Sequence, residues 1–160
     1  SDLSGADLRG AGISIVNFSG ANLSGADLRN ASIYDTNLTG ANLSNADFSG
    51  AWMQRVKVPG ADFRGAKLRN VKMSWTEIRD ADFRGADLQE ANLENSGFYQ
   101  TNLSGADLSK VSLRHASLFD CDLSGAILRG ADLRNADLVN AVLVGTDFHN
   151  AKLKGSTGIV

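Results

Sequence analysis

The chain has 160 residues, a formal net charge of −2 and a pI near 5.6, which sets one domain as the prior and gives no electrostatic footprint of a nucleic-acid binder. A single cysteine excludes an internal disulfide and a cysteine-only zinc site. No apolar run reaches membrane-spanning length, no signal peptide is visible, and one Pro against 17 Gly is too little for a disordered or collagen-like chain.

The chain starts on Ser1, and Asp2-Leu3 already follow the pattern of everything after them. The expectation is a piece of a longer chain. From Leu3 every fifth residue is large and apolar. The series runs through Leu8, Ile13, Phe18 and Leu23 at the start. It passes Met53, Val58, Phe63 and Leu68 in the middle, and ends on Leu143, Phe148 and Leu153. All 31 positions keep the register without an insertion. At 42% hydrophobic residues chance gives this with probability roughly 10⁻¹², so the period is decisive.

Two residues before each member stands a small one. It is mostly Ala, with exceptions such as Val16, Thr36, Val56, Thr76, Ser96 and Cys121. The residue between is usually Asp or Asn, so the unit is A-(D/N)-L-X-X, often closing in Gly or Asn. A period of five suits neither a helix nor a continuous strand. It suits a stepped coil. The small and the large residue, two apart, both point inward from extended backbone, and the last two turn a corner where Gly and Asn tolerate positive φ. No unit can bury its own Leu, so units must wind and stack.

This tandem motif resembles the pentapeptide-repeat family along the whole chain. The resemblance implies an all-β fold, a right-handed quadrilateral β-helix of about eight coils with four repeats each, stacked at about 4.8 Å. The expected domain is one β-helix over 1–160, with a tail at 155–160 capping the last coil. Both ends of such a rod leave ladders open, so the expected state is a monomer or a weak end-to-end associate.

Several chemical-looking motifs are products of the repeat. Asn22, Asn37, Asn42 and Asn102 begin glycosylation sequons because the unit generates Asn-Leu-Ser/Thr. Gly-x-x-x-x-Gly never carries the Lys-Ser/Thr of a phosphate loop. His115 and His149 have no partner at ligand spacing. Cys121 belongs to the small inward series and reads as core. At twenty residues per coil, Asp7, Asp27, Asp47, Asp87, Asp107 and Asp147 form one column; a calcium ladder is conceivable, but Lys67 interrupts it and Arg9, Arg29, Arg69 and Arg129 stand beside it. No catalytic, cofactor or metal residues are expected, and no enzyme.

In a solenoid the core is generic, and information sits in the outward residues. Two sides are monotonous. The third side and its corner with the fourth carry Tyr34, Trp52, Arg55, Lys57, Trp75, Arg79, Tyr99, Arg114, His115 and Phe119. Between Arg55 and Arg84 there are eight basic and four acidic residues, a local +4 in a chain of net −2. Exposed Trp, Tyr and Arg are the types enriched at interface hot spots. The expected function is a non-catalytic scaffold or protein-interaction module, with a patch centred on Trp52, Arg55, Trp75 and Arg79. The alternative, implied by the resemblance, is a DNA mimic that binds DNA gyrase or another topoisomerase, a role that wants a strongly acidic side. No nucleic-acid partner and no membrane insertion are expected. The compartment stays open, with the cytoplasm favoured.

Overall fold

A computed structural model describes residues 1–159. Every fifth residue from Gly5 to Gly155 has positive φ, between 48° and 79°. That left-handed residue turns the chain, and the extended residues before it form one short side. Four sides close a coil, because each outward residue bridges in parallel to the residue twenty further on: Asp2 to Asn22, Asp27 to Asp47, and finally Asp137 to Thr157. The fold is a β-helix.

Among the described residues, strand geometry is continuous enough for three-residue strands on two sides only. β1 (Gly12–Ser14), β2 (Ser32–Tyr34) and β3 (Trp52–Gln54) form a parallel sheet on the third side. β4 (Glu77–Arg79) and β5 (Gly97–Tyr99) form another on the fourth. The only Ile residues of the inward series, Ile13, Ile33 and Ile78, each occupy a strand centre. β-Branching restricts χ1 and favours extended backbone there.

The unit 21–25 shows how backbone polarity is satisfied. Asn22 N–H donates back to Ser1 O, Leu23 N–H forward to Asn42 O, and Gly25 N–H forward to Ser44 O. Ala26 N–H then closes the turn on Leu23 O. The one N–H left over, that of Ser24, donates to Asn22 Oδ1. This is the reason for Asp or Asn before the core residue: Asp47 serves Ser49, Asn102 serves Ser104 and Asp122 serves Ser124 in the same way. A buried or shielded N–H without an acceptor costs about 1–3 kcal/mol, so the side chain supplies what the ladder cannot. The sequons at Asn22, Asn37, Asn42 and Asn102 are this Asx geometry. Pro59, two residues after Lys57, has no N–H to satisfy.

The large inward series fills the shaft. Members from Leu23 to Leu138 are at most 2% exposed, while Leu3, Leu8 and Phe18 at one end and Leu143, Phe148 and Leu153 at the other are half-buried. Phe63 and Phe83, one coil apart, stack at 4.4 Å and 9°, with Phe48 and Phe98 tilted against them at 6.0 and 6.2 Å. Each buried Leu or Phe contributes about 1.5–3 kcal/mol against exposure. Residues to Thr157 continue the ladder: Thr157 N–H donates to Ala136 O and its hydroxyl to Asp137. The capping expected of 155–160 includes Val160, which lies outside the described residues.

Gly or Asn holds most corners, but Ile15 turns one at φ 58° with its side chain 81% exposed. A β-branched residue in this region is strained by roughly 1–2 kcal/mol. Replacing Ile15 by Gly removes that strain and loses no buried contact, offset in part by unfolded-chain entropy. Ile15→Gly is expected to raise stability by about 1 kcal/mol, read as a higher thermal midpoint; a lower midpoint contradicts the assignment of this corner.

Candidate functional site

Most surface charge is neutralised locally. Asp residues that serve a neighbouring N–H also pair with the Arg two residues on: Asp7 with Arg9 (2.7 Å), Asp27 with Arg29 (2.6 Å), Asp62 with Arg64 (2.6 Å), Asp82 with Arg84 (2.6 Å) and Asp132 with Arg134 (2.6 Å). Arg69 and Arg129 reach Asp87 and Asp147 of the next coil at 2.7 and 2.5 Å. The acidic column is therefore threaded with guanidinium groups. Among the described residues no group of His, Cys, Asp or Glu is arranged to hold a metal ion, and no helix is long and apolar enough to cross a membrane. Cys121 is buried, and desolvation pushes its thiol up to about 12.

The aromatic corner is built differently. Its outward positions give up the Asp/Asn device: Ser32, Trp52, Lys57, Lys72, Glu77 and Gly97 stand where Asp or Asn stands elsewhere. In its place the side chains pair with one another, mostly across coils. Arg55 bonds Asp35 at 2.9 Å, donates to the Tyr34 hydroxyl at 2.9 Å and lies 5.4 Å over the Tyr34 ring. Lys72 Nζ lies 5.1 Å over the Trp52 ring, which is 50% exposed. Arg79 pairs with Glu77 and stacks 4.5 Å over Tyr99. The Tyr99 ring folds back across Gly97, where a Cβ would collide with it. Each cation–π contact at such exposed sites is worth about 0.5–1 kcal/mol.

Trp75 is the exception. It turns a corner at φ 62°, is 78% exposed and has no cation over its ring among the described contacts. A shallow groove of about 280 Å³ beside it is lined by Trp75, Thr76, Glu77, Asn95, Gly97 and Tyr99. His115 is exposed two coils further along the same column; Arg114 and Phe119 are half-buried. Arg114 Nε is shielded and has no hydrogen-bond partner. The structure thus brings together Tyr34 with Arg55, Trp52 with Lys72, and Arg79 with Tyr99, whereas Arg114, His115 and Phe119 lie along the rod from them. Sequence reasoning missed exposed Ile15, whose signal was a β-branched residue at a corner position.

Sequence reasoning also missed an interruption of the ladder. The turn-closing bond is absent after Ile13, Ile33 and Met53 at the third corner, then after Ile78 and Phe98 at the fourth. The wide corner therefore changes place between the third and fourth coils. After Met73 the turn is closed through a side chain: Thr76 N–H donates to Ser96 Oγ, which donates to Met73 O. Coils of different outline face each other at 55–58 and 74–77. Away from the end coils, and among the described residues, this is where the repeating ladder bonds are missing: Arg55 N–H to Ser74 O, Val58 N–H to Glu77 O, and Glu77 N–H to Val56 O. The bridge expected between Lys57 and Glu77 is absent as well. A cleft of about 210 Å³ lies there, lined by Val56, Lys57, Pro59, Glu77 and Arg79. The buried Thr76 hydroxyl in the same segment has no partner.

Eight copies of the Pentapeptide repeats family model match the chain, over residues 1–31, 14–50, 46–85, 76–114 and 116–155. No protein of curated function matches it significantly. Solved structures with similarity include HetL, a pentapeptide-repeat protein involved in heterocyst differentiation regulation in Nostoc sp. strain PCC 7120, at 26% identity over 96% of this chain and 91% of that one, with a TM-score of 0.33. A trypsin-treated variant of QnrB1, a plasmid-mediated fluoroquinolone resistance protein, is 25% identical over 98% and 87%, with a TM-score of 0.42. Rfr23 of the cyanobacterium Cyanothece 51142 is 19% identical over 97% and 89%, with a TM-score of 0.37.

The Asp132 carboxyl, held by the Arg134 guanidinium, sits at about 2 rather than the ordinary 3.8. A depressed folded value contributes stability that is present above the unfolded value and lost as pH falls through the folded one. The thermal midpoint is expected to drop as pH falls from ~5 to ~2. Asp132→Asn should lower the midpoint near neutrality and flatten this decline; an unchanged slope contradicts the pairing.

Proposed function

The chain belongs to the pentapeptide-repeat family, and from that premise we propose that it is a non-catalytic protein-interaction module whose contact surface is the aromatic and basic corner. The repeat spends its core on stacking and most of its outward charges on local pairs. What remains is a patch where Tyr34, Trp52, Arg55, Lys57, Trp75, Arg79 and Tyr99 replace the Asx-Arg pattern. The single observation that carries this reading is Trp75, a bulky apolar ring held in a left-handed corner at 78% exposure. Such a residue lowers stability and solubility where Gly or Asn would serve. A partner that buries the ring offsets that cost. Arg114, His115 and Phe119 extend the same surface toward the C-terminal coils.

The DNA-mimic reading needs an uninterrupted acidic side. Arg9, Arg29, Arg69 and Arg129 on the acidic column, and Arg64 and Arg84 on the neighbouring side, each engage an Asp, and the middle of the rod is basic. These observations favour a protein partner of another kind.

Trp52→Ala and Trp75→Ala leave the shaft untouched and should fold with an unchanged far-ultraviolet spectrum. Each is expected to weaken partner capture at least tenfold, in line with hot-spot truncations of ~2 kcal/mol. Undiminished capture by both folded variants contradicts the proposed surface.

A further inference from the structure

The gap between the third and fourth coils has the makings of a ligand site. Along the rest of the rod, away from the end coils, the repeating ladder bonds join each coil to the next. Here the N–H groups of Arg55, Val58 and Glu77 and the carbonyls of Ser74, Val56 and Glu77 are left without ladder partners, and Val56 and Glu77 line a cleft far larger than the ~10–15 Å³ that admits one water. Val56 and Val58 are 4% and 0% exposed, so the segment is firmly seated and the open groups are fixed in direction.

Charge decides what the cleft would take. The nearby carboxylates are engaged: Asp35 by Arg55, and Glu77 by Arg79. Asp80 does not line the cleft. Lys57 lines it, is exposed and has no ion pair among the described residues. The repeat would place Asp or Asn at that position, so the ammonium replaces a side chain of the opposite tendency. Trp75, the unclamped aromatic, turns the corner that leads into Glu77. The arrangement combines an unpaired cation, the open N–H of Glu77 beside it, and open carbonyls that suit a peptide group. That is the complement of an extended peptide bearing a carboxylate.

We propose that the ladder gap at 55–58 and 74–77 is a recognition slot for an acidic side chain of the protein partner. The carboxylate lies on the Lys57 ammonium and accepts from the Glu77 N–H group, and the neighbouring peptide group meets the open carbonyls. This deepens the interaction surface proposed above and rests on that reading for its biological partner, but the slot itself is testable without it.

The probe is a capped peptide, acetyl-Gly-Glu-Gly-amide, titrated into isotopically labelled full-length protein, with acetyl-Gly-Gln-Gly-amide as the control. Saturable amide shifts at Val58, Glu77 and Arg55 are expected with the Glu peptide, and at least fivefold weaker effects with the Gln peptide. Lys57→Gln, an exposed change that should fold normally, is expected to weaken the Glu peptide at least fivefold, while Lys57→Arg restores most of the binding. Absent shifts at these amides, equal response to both peptides, or full binding by Lys57→Gln overturns the slot. If the slot fails while Trp75→Ala still loses the partner, the interaction surface stands and only its acidic chemistry is wrong. If the slot holds while both Trp variants capture normally, the converse applies.

Discussion

Every fifth residue from Gly5 to Gly155 must lie in the left-handed region of backbone space, and the rest of the molecule follows from that constraint. It turns the chain at a fixed interval, keeps the residue pair before each corner aimed at the shaft, and sets the twenty-residue step that brings like positions into parallel register. Gly and Asn meet the constraint at little cost. The positions that meet it with Ile15, Arg55, Trp75 or His115 do so against conformational preference, and several of them gather on one corner. Strain of this kind is tolerated where the surrounding stack over-determines the backbone.

Hydrogen-bond accounting separates the generic rod from its special region. Four of the five N–H groups in a unit are satisfied by backbone, and the fifth by an Asp or Asn side chain, as in the unit built around Leu23. A column of carboxylates that looks like an ion ladder thereby acquires a structural role, and its Arg neighbours neutralise what charge remains. Where Trp52, Lys57, Lys72 and Glu77 displace Asp and Asn, the Asx bond is given up, and cation–π contacts and the Arg55–Asp35 pair across coils, with the Arg79–Glu77 pair within one, take over. Stability there is bought with side chains that also face outward, so the surface chemistry of this corner is less replaceable than that of the other sides.

Much of this was legible beforehand. The period gave the shaft, because a large apolar residue at every fifth place has no other way to be buried, and the members from Leu23 to Leu138 are buried. The small series gave Cys121 as an inward residue, and the outward departures located the aromatic corner. The pairings within it were not legible, since which cation covers which ring depends on the step between coils and on side-chain rotamers. Nor was the ladder gap. It arises because the wide corner shifts from the third position, at Ile13, Ile33 and Met53, to the fourth, at Ile78 and Phe98. Ile in place of Leu was a faint trace of those strands, but Met53 and Phe98 carry no such signal.

The central claim is that one ladder runs the length of the rod and, away from the end coils and among the described residues, is interrupted between coils at a single place. Residue-resolved amide hydrogen exchange on the folded protein tests it most directly. The account predicts strong protection of inward-series amides such as Leu43 and Leu68, and weak protection of Arg55, Val58 and Glu77 within the same coils. Uniform protection across 55–58 and 74–77, matching the coils on either side, would contradict it.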